Sequence, residues 1–177
     1  MQLTNAQAAD FADYGRKRAT WLEGSRRHLA VYEVLSDNLE RLNMQSGRSQ
    51  DEFSGCFYAA YLHAGLAVEN AATAFLVAND PTIVQDGRIN KKKLGERAHH
   101  RFLHLTERIL GSLSKSERDI LFKLEEHVAW AGKYSVPMKA EILYDQAQMS
   151  VLRTIPMNER EIIRDLVTRL GRQGDVA

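Results

Sequence analysis

Arg97, His100 and His104 follow one another at intervals of three and four residues. A helix through them would present one guanidinium and two imidazoles on a single face. Those groups suit phosphate chemistry, since arginine grips a phosphate through two N–H donors and histidine moves a proton near neutral pH. They belong to the run Asn90 to Arg108, NKKKLGERAHHRFLHLTER, which holds three of the six histidines. Lys91, Lys92 and Lys93 at its start would add long-range attraction for an anionic polymer. The same residues also read as a solvated basic face with one inward histidine, and residue type and spacing leave both readings open.

A second group lies in an apolar stretch, where His63, Glu69 and Asn70 interrupt YLHAGLAVENAATAFLVA. A carboxylate buried there needs a partner or a raised pKa, because removing its water is costly. One reading makes these three residues a wall facing the basic run. The other makes them a hydrogen-bond network that fixes helix register. A small-ligand pocket walled by His63, Glu69 and Tyr134 is a further option. Trp130, Lys133 and Tyr134 sit close together in WAGKY, where rings beside a cation could stack a base or plug a helix end. Arg16, Lys17, Arg18, Arg26, Arg27 and His28 form another basic cluster, broken by Asp10, Asp13 and Glu23 as a solvated face would be. No glycine-rich phosphate loop, nucleophile elbow or zinc spacing occurs, so no metal or cofactor is expected.

Helices must position these groups. The first helical block spans roughly Thr4 to Leu42, opened by a capping box at Thr4 and Gln7. Its apolar stripe runs from Phe11 and Tyr14 through Leu22, Leu29, Tyr32, Leu35 and Leu39 to Leu42, with Gly15 and Gly24 marking a bend. A second helix runs from Ser49, with Glu52 completing another capping box, to about Ala78. It is apolar on nearly every face and rich in alanine and glycine, as the buried centre of a bundle would be. A loop with an Asp86-Gly87 turn precedes the basic run, where Asn90 is a cap and Leu94, Phe102, Leu105, Ile109 and Leu110 form an apolar face. No strand pattern with hairpin signals is read here. Ser114 and Glu117 open a further helix carrying Ile120, Leu121, Leu124 and Val128, stopped at Gly132 and Pro137. Residues 139–155 are ambiguous, and a last helix begins near Asn158 and closes at Gly171.

The pattern predicts an all-α, up-and-down bundle of four to five helices. Residues 1–138 are read as the bundle, and residues 139–177 as an extension with a last helix. With 177 residues, 44% apolar and 27% charged, the chain has the composition of one globular domain. The net charge of +1 confines any polyanion surface to a local patch. A lone cysteine, Cys56, makes no internal disulfide. No leader and no apolar run long enough for a membrane is seen, so a cytoplasmic setting is expected.

The succession YLHAGLAVENAATAFLVANDP, a basic run ending in HRFLHL, then LSKSERDILFKLEEHVAWAGKYSVP resembles HEPN-like helical proteins of prokaryotes. Glu69 and Asn70 match that group's Glu-Asn pair. His100, Phe102 and Leu105 match its histidine-leucine step, with Phe in place of Leu. Trp130, Gly132, Lys133, Tyr134 and Pro137 match its aromatic-glycine-basic end. The likeness covers about Phe53 to Pro137. It implies a homodimeric bundle with an RNA- or nucleotide-directed role in defence or a toxin–antitoxin pair, an antitoxin then being a protein partner. Ribonuclease members cut RNA without metal through attack by the 2′-hydroxyl, using an arginine and a histidine with four to six residues between them, and Arg97 and His104 have six between. By that analogy Arg97 would clamp phosphate, and His100 or His104 would serve as acid or base. Ala98 departs from the polar residue usual after the arginine. A non-catalytic helical adaptor or dimerisation module of the same fold is the alternative.

Overall fold

The computed structural model describes residues 4–94, 100–131 and 158–173, with the backbone alone at 130 and 131. It is an all-α helical bundle. Among the described residues the helices are α1 (Asn5–Arg16), α2 (Arg18–Met44), α3 (Gln50–Asn79), α4 (Lys91–Leu94), α5 (Leu103–Leu110), α6 (Lys115–Glu126) and α7 (Glu159–Arg172). Two of these go beyond the expected number: the single turn of α4, and α1, split from α2. None of the described helices is long and apolar enough to cross a membrane.

Helices α2, α3, α6 and α7 alternate in direction. Ser25 bonds the Ala67 carbonyl, His28 meets His63, and Cys56 bonds the Leu35 carbonyl, so α3 descends as α2 rises. The five-residue link between them leaves no room for another arrangement. Arg18 reaches the Gly171 carbonyl while Glu33 holds Arg160, which makes α7 antiparallel to α2. Lys123 with Glu159, and Glu117 with Arg169, do the same for α6 and α7.

The core centres on α3, whose Ala60, Ala64, Ala67 and Ala71 are fully buried. Ile120, Leu121 and Leu124 from α6 and Ile163, Leu166 and Leu170 from α7 pack in the same cluster. The last helix, read from sequence as part of an extension, thus supplies one wall of the central core. Small residues on α3 set its spacing from its neighbours. A Cβ on Gly65 would lie 2.4 Å from Val128 Cγ2 and 2.9 Å from the Leu124 carbonyl oxygen.

Several boundaries differ from the sequence reading. The first block breaks at Lys17, whose ψ of 114° is extended, rather than at Gly15 or Gly24. The carbonyls released there are taken by side chains of the next turn, Trp21 to Gly15 and Thr20 to Tyr14. Helix α1 turns Ala12 and Gly15 inward, with a Cβ on Gly15 falling only 2.6 Å from Val84 Cγ1. Phe11 and Tyr14 are left exposed, contrary to the expected stripe. Ser49 caps α3 through the Glu52 amide, without the reciprocal half of a capping box. The Asp86-Gly87 turn closes a two-stranded hairpin, β1 (Val84–Gln85) with β2 (Arg88–Ile89), which the sequence reading did not anticipate. Both turn residues have positive φ, the geometry that matches strand twist. Helix α7 continues through Gly171 to Arg172, and Arg18 donates to the Gly171 carbonyl and to that of Gln173 just beyond the helix.

A polar cluster lies inside this core. The Tyr61 hydroxyl donates to Glu159 Oε2 at 2.9 Å, and Lys123 Nζ stands 3.5 Å from the same oxygen. Lys123 also lies 3.8 Å from the centre of the Tyr61 ring. The His127 ring bonds the Lys123 carbonyl at 2.8 Å, at the start of a π-helical turn (His127–Ala131). All four side chains are nearly inaccessible to water. Burial lowers Lys123 to about 8 against the pull of Glu159, raises Glu159 against Lys123 and Tyr61, and lowers His127 to about 4.

Two outcomes follow from these contacts. Gly65→Ala gains about 1 kcal/mol of helix propensity but overpacks against a backbone oxygen that cannot rotate away, so a net loss of about 1–3 kcal/mol is expected. Urea denaturation checks it, and an unchanged or higher midpoint would contradict the close approach. His127 has a folded pKa of about 4 against an ordinary 6.5, so the unfolded chain binds its proton first. Its contribution is whole above pH 6.5 and disappears as pH falls to 4, at about 1.4 kcal/mol per pH unit. His28 and His63, also lowered, act in the same sense, whereas the raised Glu159 opposes them. The His127→Gln variant should therefore lose stability less steeply than wild type over that range. Parallel slopes for the two proteins in urea titrations at several pH values would sink the assignment.

Candidate functional site

The basic run does not form one helix. His100 has φ of 60°, in the left-handed region that non-glycine residues seldom occupy. Phe102 is also non-helical, and α5 begins only at Leu103. His100 and His104 consequently share no helical face. Arg97 lies outside the described residues, as do Lys133, Tyr134 and the side chain of Trp130.

Tertiary partners hold His100 to Phe102 in this shape. Phe102 is fully buried in the core. Arg101 on its exposed side bridges Glu125 at 3.4 Å and also pairs with Glu126, two carboxylates buried on α6. Glu125 additionally accepts the Leu103 amide, which supplies the side-chain cap that Phe102 cannot give α5. Burial pushes Glu125 up, with the Leu103 amide and Arg101 pulling back. Burial disfavours the Arg101 charge, but Glu126 and Glu125 outweigh it and hold its pKa above the usual value.

His100 is anchored on α3. Its Nδ1 lies 3.0 Å from Glu69 Oε1, and Glu69 is buried while the imidazole is partly open to solvent. A carboxylate facing Nδ1 selects the tautomer that carries its proton there, leaving the Nε2 lone pair available as a base. No described residue bonds that second nitrogen. An imidazole oriented from behind by a buried carboxylate is the arrangement that general acid–base chemistry uses. Glu69 is placed by its turn of α3: with Gly65 one turn earlier, it faces the side where α6 packs.

The other α3 candidates point elsewhere. His63 meets His28 of α2, with Nδ1 to Nδ1 at 2.9 Å. Burial lowers His63, and it lowers His28 with help from His63 and against the field of Glu69. Asn70 lies against Gly24 and lines a small apolar hollow with Trp21 and Val84. Of His63, Glu69 and Asn70, Glu69 is the one brought to the basic run. His104 is exposed on the first turn of α5. Among the described residues no group of three metal-ligating side chains converges.

The sequence reading passed over Lys123, His127 and Glu159. A signal was present. Lys123 and His127 occupy positions in the stripe of Ile120, Leu124 and Val128, and Glu159 does so in the stripe of Ile163, Leu166 and Leu170. Polar residues at inward positions of two helices announce a polar contact within the core.

No family model, curated protein or solved structure matches this chain.

Proposed function

We propose that the protein acts on RNA or nucleotides through metal-independent acid–base chemistry, with His100 as the base and Glu69 as its positioning partner. The Glu69–His100 pair carries the reading: a half-open imidazole, 3.0 Å from a buried carboxylate, on a backbone in the left-handed region. Backbone strain of this kind persists where the surroundings over-determine it, and it clusters at functional sites. In RNA cleavage His100 Nε2 takes the proton of a 2′-hydroxyl. The oxygen then bonds the adjacent phosphorus, and the P–O bond to the next nucleotide breaks. A second group protonates the departing oxygen, and His104, exposed on the first turn of α5, is the candidate among described residues. The exposed Lys91 and Lys92 would attract the polymer. Arg97 remains the proposed phosphate clamp, and a homodimer with an antitoxin-like protein partner in a cytoplasmic defence setting is the proposed context.

Cleavage of a labelled single-stranded RNA in EDTA tests this. Loss of a general base lowers kcat/KM by about 10²–10⁴-fold, so His100→Ala should fall in that range. Glu69→Gln should fall less, because the imidazole remains but loses its orientation. If His100→Ala cuts RNA as wild type does, or wild type does not cut it, the catalytic assignment fails.

One observation favours a second reading, a non-catalytic helical adaptor. Val31 and Val34 on α2 and Tyr58 on α3 are exposed, large apolar side chains. In that case wild type is silent toward RNA, and a Val34→Glu substitution weakens self-association in sedimentation experiments.

A further inference from the structure

Phe11, Tyr14 and Ile89 are 41%, 59% and 37% exposed, and with Trp21 and Val84 they line one hollow of about 260 Å³ between α1, the start of α2 and the hairpin. Single exposed apolar side chains are ordinary, but several gathered at one place mark a surface that a partner covers. The hollow is smaller than sites that enclose a whole small molecule, so it suits one side chain carried on a longer chain. Its polar groups are already engaged within the protein. Trp21 Nε1 donates to the Gly15 carbonyl at 2.7 Å, the Thr20 hydroxyl donates to that of Tyr14 at 2.9 Å, and the Asn70 amide lies against Gly24. What stays open is apolar surface, which a leucine or phenylalanine side chain covers without loss. A nucleobase would leave the polar edge of its ring unmet there.

The flank of the hollow is cationic. Ile89 also borders a wider depression of about 600 Å³ lined by Arg88, Lys91 and Lys92. Arg16 donates to the Val84 carbonyl at 2.8 Å, beside the same hairpin. All four cations are exposed, and none forms an ion pair among the described residues. Asp86 at the turn and Asp10 on α1 offset two of these charges, while Asp13 is held by Lys17. We infer that this surface docks a protein segment in which a large apolar residue is flanked by aspartate or glutamate. The apolar side chain enters the hollow, and the carboxylates lie over Arg88, Lys91 and Lys92. The apolar anchor supplies most of the affinity, and the charges set its register and turn away basic segments. Docking covers Lys91 and Lys92, which the RNA reading assigns to the polymer, but it does not require that reading.

The test begins with random peptides displayed on phage and selected on the intact protein. The selected peptides should carry a large apolar residue next to acidic ones. The tightest of them, synthesised with a fluorescent label, is then titrated by anisotropy. Tyr14→Ala, which trims an exposed ring, should weaken binding at least about tenfold, as loss of a central aromatic contact does. Arg88→Glu, Lys91→Glu and Lys92→Glu together should do the same and remove the dependence on salt. Val34→Glu, about 20 Å along α2 from Trp21, should leave binding unchanged. Circular dichroism should show intact folds, since the altered side chains are exposed. Selection of basic or uncharged peptides, undiminished binding by folded Tyr14→Ala or by the charge-reversed protein, or loss of binding by Val34→Glu would each overturn the inference. So would an oligodeoxythymidine that binds wild type more tightly than the peptide and is released by Tyr14→Ala, which would assign the surface to nucleic acid. Self-association of wild type that Tyr14→Ala abolishes in sedimentation would assign the hollow to a second copy instead. A protein that binds these peptides but leaves RNA intact loses the catalytic reading and keeps this one.

Discussion

Carboxylates placed in an apolar interior must find donors, and this requirement decides where much of the chain goes. Glu69, Glu125, Glu126 and Glu159 are all buried. Glu69 draws His100 to α3, and Glu125 and Glu126 draw Arg101 and the Leu103 amide to α6. Glu159 ties α7 to Tyr61 on α3 and Lys123 on α6. Each contact joins elements distant in sequence. Removing one partner would leave a charge in low dielectric, which is more damaging than losing an equivalent surface pair. The left-handed backbone at His100 is the local consequence: with Phe102 buried, Arg101 on α6 and His100 on α3, the chain cannot continue a helix through all three.

Close packing makes these polar contacts possible. Alanines along α3 and the contact of Gly65 with the Leu124 carbonyl bring neighbouring backbones near enough for short side chains to meet. Ser25 reaches a backbone carbonyl of α3 directly, and Tyr61 reaches across to α7. Where the neighbouring side chains are larger, space remains. A cavity lined by Tyr32, Phe53 and Tyr61 lies toward the end of α3 that is poorer in alanine. Aromatic rings there hold the helices apart, while alanine and glycine draw them together farther along.

Glu69 and His100 were both legible as candidates, Glu69 because an apolar helix rarely carries a lone carboxylate. Their pairing was not legible, since it joins residues from separate elements. The grouping of Arg97, His100 and His104 on one face depended on an unbroken helix, and the left-handed residue at His100 removes that premise. His63 and Asn70 were grouped with Glu69 by position along α3, yet a helix has several faces, and these two turn toward α2. Phe11 and Tyr14 fit a helical period but face water, because α1 packs through Ala12 and Gly15, where the hairpin comes closest.

Residue type and spacing were enough to place the helical class, the buried central helix, the caps at Thr4 and Ser114 and the turn at Asp86-Gly87. These depend on hydrophobic period, on hydroxyl side chains that meet free amides within one turn, and on residues that tolerate positive φ. All are short-range properties, and composition and spacing carry them. Tertiary structure alone decided which carboxylate meets which cation, where the basic run breaks, and that Glu159 and Tyr61 border a common cavity. Those outcomes depend on the distance between helices, which is set by the packing of many side chains together and is not encoded in any one segment.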